Sequence, residues 1–213
     1  MKYPNKMDKI DSLELIKRVK ALANTGLLYA DNEYDRERYE ELASISLKLL
    51  SATSGQSLSV LRDFVMPVND YPTPKVDVRG LILNEANEVL LVKESLDGKW
   101  SLPGGWGEVG FSPSEVIEKE ISEETGLQAK ASQLLAVYDK RCHPHPPQPL
   151  YVYKLVFLCE ATTGSLTTGF DIEDARYFAI DQLPELSEER ILKSQIEQVH
   201  QLATQTDRDV YFD

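Results

Sequence analysis

Three prolines fall within the short stretch Pro67-Val-Asn-Asp-Tyr-Pro-Thr-Pro74, and they split this chain into two parts with different folding patterns. Proline has no amide hydrogen and its ring clashes with the preceding turn, so no helix crosses this stretch, which reads as a stiff linker. Before it, Ile10, Leu13, Ile16 and Val19 recur at helical spacing, as do Tyr39, Leu42, Ile45 and Leu49. This predicts a first helix from Met7 that stops at Gly26, a second through Leu49, and a short third over Leu58 to Val65. After the prolines the period becomes that of strands. Val76 to Asn84 and Val89 to Glu94 flank an Asn-Glu-Ala-Asn turn and predict a hairpin, followed by a short strand from Trp100 to Leu102. Further strands are expected near Gln133 to Lys140, Leu150 to Cys159 and Ala175 to Ala179, with a last helix over Glu188 to Thr206. The chain of 213 residues has room for one full core and a small extra module. The expectation is an α+β protein: a helical domain at 1–66, a linker at 67–75 and a mixed domain at 76–213.

Residues 101–127, SLPGGWGEVGFSPSEVIEKEISEETGL, carry the chemistry. Ser112 offers an N-cap oxygen, Pro113 suits the first helical position, Glu115 completes a capping box and Gly126 supplies a left-handed stop. On the helix so defined, Glu120, Glu123 and Glu124 share a face, while Ile117 and Ile121 form a flanking stripe that pins it to a sheet. Like charges at these spacings cost an isolated helix a few tenths of a kcal/mol per pair. A hard cation reverses that sign, and an oxygen-only ligand set suits Mg2+ or Mn2+ held against a phosphate.

These residues resemble the box of the Nudix hydrolase family, Gly-x5-Glu-x7-Arg-Glu-apolar-x-Glu-Glu-x-Gly-apolar. Gly105, Glu120, Ile121, Glu123, Glu124, Gly126 and Leu127 fall in register, whereas Phe111 stands for the first Glu and Lys119 for the Arg. The resemblance implies a Nudix fold, a mixed β-sheet sandwiched between α-helices, behind the helical domain. It also implies that Gly105 gives its carbonyl to metal, that Glu120, Glu123 and Glu124 bind metal, with Glu120 and Glu124 serving catalysis, and that Lys119 orients its neighbour. Lys119 supplies the charge of the Arg but not its planar fork. Glu108, just upstream of Phe111, retains a carboxylate in the loop. A helical segment before such a domain is similar to the subgroup that includes pyrophosphatases of CDP-choline and ADP-ribose. The likeness extends through the KRCHPHPPQP loop and the final VYFD.

Diphosphate cleavage also needs a base for the attacking water. Asp171, Glu173 and Asp174 precede the Ala175 strand, and Glu173 is the first choice. Arg79 and Lys93, on strands, are candidates to reach substrate phosphates. Trp106 offers a stacking face, although aromatics on strands more often pack in a core. His143, in a loop braced by prolines, is expected to border the substrate. His143 and His145 lack the spacing of a zinc finger, and Cys142 adjoins His143 too closely to share its geometry, so zinc is set aside.

With 23 Lys and Arg against 35 Asp and Glu, the net charge of −12 disfavours nucleic acid, whose binding rests on clustered cations. Cys142 and Cys159 read as two reduced thiols. MKYPNKMDKIDSLEL has no apolar core of a signal peptide and no run reaches membrane length, which predicts a soluble cytoplasmic protein. The wide apolar faces of the first helices predict a homodimer formed through them. The leading expectation is a metal-dependent hydrolase that cuts a nucleoside diphosphate linked to another group. Two alternatives remain at this point: a degenerate module that senses such a conjugate, and an RNA end-trimming nuclease.

Overall fold

A computed structural model describes residues 12–64, 71–108, 110–205 and 209–213, which divide into two compact units. The smaller unit contains α1 (Ser12–Tyr29), α2 (Glu33–Ser54) and α3 (Leu58–Phe64). Asn32 caps α2 by accepting the Asp35 amide at 2.9 Å, and Gly55, at φ 72°, closes it by donating to Ser51 O. Leu13, Leu50 and Leu61 form the core of this unit, with Ile16 and Leu47 packed against them. Ile10, Val65 and the first half of the proline stretch, residues 67–70, lie outside the described residues.

Two helical expectations change here. Gly26 does not stop α1, which runs on to Tyr29. A Cβ at Gly26 would fall 2.4 Å from the Tyr39 ring, so the glycine serves the close approach of α1 and α2 instead. On α2, the interior takes Ser46 and Leu50, while Leu42, Ile45 and Leu49 are 41%, 45% and 49% exposed. The helix carries apolar side chains on two faces, and spacing alone does not say which one the unit buries.

The larger unit holds β1 (Lys75–Leu81), β2 (Val89–Glu94), β3 (Trp100–Ser101), β4 (Gly104–Trp106), α4 (Pro113–Thr125), β5 (Gln128–Asp139), β6 (Val152–Thr163), β7 (Ile172–Phe178), α5 (Lys193–Thr204) and β8 (Tyr211–Phe212). A mixed sheet runs in the order β4-β1-β6-β5-β8, with β1 parallel to β6 and antiparallel to β4. A second sheet, β3-β2-β7, is antiparallel throughout. The expected hairpin therefore exists only at its turn. Leu83 bridges Val89 and the Leu90 amide reaches Ile82 O at 3.0 Å, after which β1 and β2 part into different sheets. Alternating burial identifies a strand, but it does not choose between the neighbour in sequence and a distant parallel partner.

Side-chain alternation along β1 sends Val78 and Ile82 into a cluster with Val116, Ile117 and Ile121 of α4, and Leu81 into another that includes Leu91, Leu135, Val156, Ile196 and Val199. Gly80 lies under α4, where a Cβ would meet Ile121 Cδ1 at 3.0 Å. Several strand ends differ from expectation. β5 starts at Gln128 and absorbs three register shifts, and α5 begins only at Lys193 because Ser187 O accepts the Arg190 and Ile191 amides in a separate turn.

The α4 boundaries match the sequence reading in full: Ser112 accepts the Glu115 amide, Glu115 Oε2 accepts the Ser112 amide at 2.8 Å, Pro113 starts the helix and Gly126, at φ 70°, ends it. We predict that Ser112→Ala costs about 1 kcal/mol, read as a lower urea midpoint with unchanged m, and that Ser112→Asp recovers most of it. An Ala variant as stable as the parent would mean that packing alone sets this helix start.

Candidate functional site

The Pro103-Gly104-Gly105 turn meets α4 through backbone that only glycine permits. Gly104 lies at φ 137°, and a Cβ there would fall 2.1 Å from Val78 O. The Gly104 amide donates to Glu124 Oε2 at 2.9 Å. At Gly105 a Cβ would fall 2.5 Å from Glu120 Oε1, so the missing side chain is what lets that carboxylate lie on the turn. Directly after Pro103, residues 104–106 form β4 at the sheet edge.

Two of the three box glutamates come together here. Glu124 is buried, and desolvation pushes its carboxyl up to about 8 despite Arg79 and the Gly104 amide, which act the other way. Glu120 is half-buried and also raised, first by desolvation and then by Glu123. Glu123 is exposed, with Lys119 Nζ 3.9 Å away. Among the described residues no three acidic, His or Cys side chains converge into a closed cage. The donor set is carboxylate and backbone oxygen, and both raised carboxyls would be relieved by positive charge. That fits a hard cation which keeps several of its waters, as Mg2+ and Mn2+ do.

The departures from the box pattern are accommodated together. Lys119 donates to Glu108 at 2.6 Å and lies 5.9 Å from the Phe111 ring centroid, so cation, loop carboxylate and aromatic form one cluster. Glu173 is paired with Lys93 at 2.6 Å across β7 and β2, so the candidate base and one candidate phosphate ligand hold each other. The loop before β7 seals the end of α4: the Thr167 amide donates to Thr125 O at 2.9 Å and the Gly169 amide to Glu124 O at 3.2 Å. Trp106 is half-exposed on β4, with Lys75 Nζ 5.6 Å from its ring. His143 lies 3.0 Å from an Asp213 carboxylate oxygen and edge-on to Tyr138, which ties its loop to the final segment.

Arg79 is not at the surface. It is 6% exposed, with Nε donating to Asp77 at 3.0 Å and Nη1 to Leu102 O at 3.0 Å. Around it lies a buried polar group that the sequence reading passed over. Lys154 donates to Asp77, Ser101 Oγ donates to Glu94 at 3.1 Å, and Arg190 pairs with Glu94 at 3.0 Å. The Arg79 and Lys154 cations hold Asp77 down at about 2 against its burial, while burial draws Lys154 down to about 8. The signal was present as Asp77 and Arg79 two apart on one strand, and as Lys154 inside the apolar run Tyr151 to Leu158.

In the metal-free state Glu124 titrates at about 8 when folded against 4.5 when free, so the folded chain keeps a proton that the unfolded chain has lost. Its contribution to stability therefore falls as pH rises from about 5 to about 8. In EDTA, Glu124→Gln should gain on the parent over that interval, read from urea midpoints at both ends. A difference between the two proteins that does not change with pH would remove the buried-acid account.

Comparison with known proteins finds relatives for both units of the chain. A family model described as "NUDIX domain" matches residues 73–200, and one described as "UDP-X-like, N-terminal oligomerisation domain" matches residues 11–65. The chain is 42% identical over 201 residues to the Bacillus subtilis protein named "Putative ADP-ribose pyrophosphatase YjhB", covering 94% of this chain and 96% of that one. It is similar to the crystal structure of a UDP-X diphosphatase, with 40% identity, a TM-score of 0.62 and coverage of 95% and 98%. It is also similar to that of an ADP-ribose pyrophosphatase from Streptococcus suis, with 33% identity, a TM-score of 0.60 and coverage of 66% and 100%.

Proposed function

The chain belongs to the Nudix hydrolase family, and on that premise we propose that it is a metal-dependent pyrophosphatase of nucleoside diphosphates joined to a second group. The products are a nucleoside monophosphate and a phosphorylated remainder. ADP-ribose and UDP-linked conjugates come first, on the names of the relatives, and CDP-choline follows as the expectation from the helical subgroup. The observation that carries this reading is the pair Glu120 and Glu124 set against the Gly104-Gly105 turn, one by contact and one by a backbone hydrogen bond. A sensor without activity would not need two carboxylates kept at this cost, and the Lys119–Glu108 pair retains the charge of the family's Arg.

Glu120, Glu124 and the Gly105 carbonyl would hold Mg2+ or Mn2+, with Glu123 on the same helix near the open side. When bound, such a cation neutralises charge on the phosphoryl oxygens and lowers the pKa of a coordinated water. Around it, the chain orients and shields. Gly104 donates to Glu124 and so fixes which carboxylate oxygen faces outward. Lys119 holds Glu108 and the Phe111 loop at the other end of the helix. Glu173, presented by β7 and held by Lys93, accepts the proton of the attacking water. Trp106 supplies an aromatic face beside Lys75 for the non-scissile part of the conjugate.

We further propose that the α1–α2 unit joins two copies of the chain. Leu15, Val19 and Leu22 on α1, and Leu42, Ile45 and Leu49 on α2, are exposed at helical spacing, which leaves apolar faces for a partner. Among the described residues no helix is long and apolar enough to cross a membrane.

A panel of ADP-ribose, UDP-linked sugars and CDP-choline, assayed with Mg2+ or Mn2+ and with products identified, tests the activity. The expected result is cleavage within the diphosphate that stops in excess EDTA, and turnover undiminished by chelator would exclude the mechanism. Ile45→Glu should convert the dimer into monomer, as read by light scattering. If the parent is itself monomeric, or the variant keeps the parent's mass, these helices do not form the interface.

A further inference from the structure

Arg79 grips the metal-facing turn from below, and it does so jointly with its neighbour in sequence. Its Nη1 donates to Leu102 O at 3.0 Å and to Ser101 Oγ at 3.3 Å, while the amide of Gly80 donates to Pro103 O at 2.9 Å. Two successive carbonyls leading into Gly104 are thus held by two successive residues of β1. The next amide, that of Gly104, is the one that donates to Glu124. The guanidinium is fixed from its other side by Asp77, and Asp77 by Lys154 on the parallel neighbour β6. All three side chains are buried, with Lys154 only 1% exposed. A guanidinium serves this place because its fork reaches Asp77 with Nε and the turn with Nη1 at once, whereas an ammonium offers one nitrogen for both.

We infer that Arg79 is a positioning residue for the metal face, and that Asp77 and Lys154 act through it as a chain of buried charges ending on the Pro103–Gly105 turn. The inference rests on the functional reading above, in which Glu120, Glu124 and Gly105 hold the cation. Its role differs from that expected of a strand arginine reaching for substrate phosphate. A phosphate ligand contributes to substrate binding, so its loss raises KM. A residue that places the turn contributes to metal affinity and to the chemical step, and its loss lowers kcat.

The test uses the full chain as parent, Arg79→Lys and Ser101→Ala. Three quantities are read: hydrogen exchange at the Gly104 amide without metal, Mn2+ affinity by paramagnetic resonance titration without substrate, and kcat and KM on the conjugate the parent hydrolyses. Arg79→Lys should weaken Mn2+ binding and lower kcat by about 10- to 100-fold, speed exchange at Gly104, and leave KM nearly unchanged. Ser101→Ala, which removes one acceptor of Nη1 together with the Ser101 Oγ bonds to Glu94 and Leu102 O while leaving the Nη1 bond to Leu102 O, should change the same quantities in the same direction by a smaller factor. Raised KM with unchanged Mn2+ affinity and Gly104 protection would overturn the inference and make Arg79 a substrate ligand. Should Arg79→Lys fail to fold, Ser101→Ala decides alone, and unaltered Gly104 exchange in it overturns the inference. A parent that neither binds Mn2+ nor hydrolyses any conjugate overturns the functional reading instead, and the exchange rate at Gly104 then still decides the part that concerns the turn.

Discussion

The close contact between a side-chain-free turn and two acidic residues of one helix is the constraint on which the rest of this molecule depends. Glu124 can reach the Gly104 amide, and Glu120 can lie over Gly105, only while α4 stays pressed on the mixed sheet. That requires Ile117 and Ile121 to seat on Val78 and Ile82, and it requires Gly80 to leave room beneath them. The helix is fixed at both ends by its own sequence, through the Ser112–Glu115 box and Gly126. Burial that raises the cost of ionising these carboxylates also prepares them for a cation, because the same desolvation strengthens any opposite charge brought near.

How legible this was depends on how local each feature is. Caps, stop signals and the face shared by the acidic residues are decided within one or two helical turns, and α4 could be read in full from residues 112 to 126. Strand partners are decided by residues far apart in the chain. The Val76 and Val89 segments looked like one hairpin because their alternation is compatible with it, yet β1 pairs with β6, Lys75 with Val152 through Leu81 with Leu158, 77 residues on. Gly26 was misread for a related reason: helix stop and close helix crossing ask for the same residue, and only the position of Tyr39 separates them. The stripe at Leu42, Ile45 and Leu49 has helical spacing, but an exposed apolar face has the same spacing as one made for a core.

The buried charges show a different limit. Asp77, Arg79 and Lys154 look like exposed strand residues one at a time, since charged side chains are seldom fully buried unless paired. Only the parallel register of β1 and β6, which sets Asp77 beside Lys154, makes their burial sustainable. Removing one partner from such a group leaves an uncompensated charge inside, so the members hold each other in place as strictly as an apolar core would.

The loop that closes over the end of α4 has a mechanical consequence. Thr167 and Gly169 are bonded to the carbonyls of Thr125 and Glu124, and Glu173 follows only a few residues later. The acid-bearing end of the helix and the strand that presents the candidate base are therefore carried on one short tether. The reach between them is bounded by the few residues from Gly169 to Glu173, and the tether can start so close to the helix only because Gly169 has no side chain, since a Cβ there would fall 2.3 Å from Glu123 O.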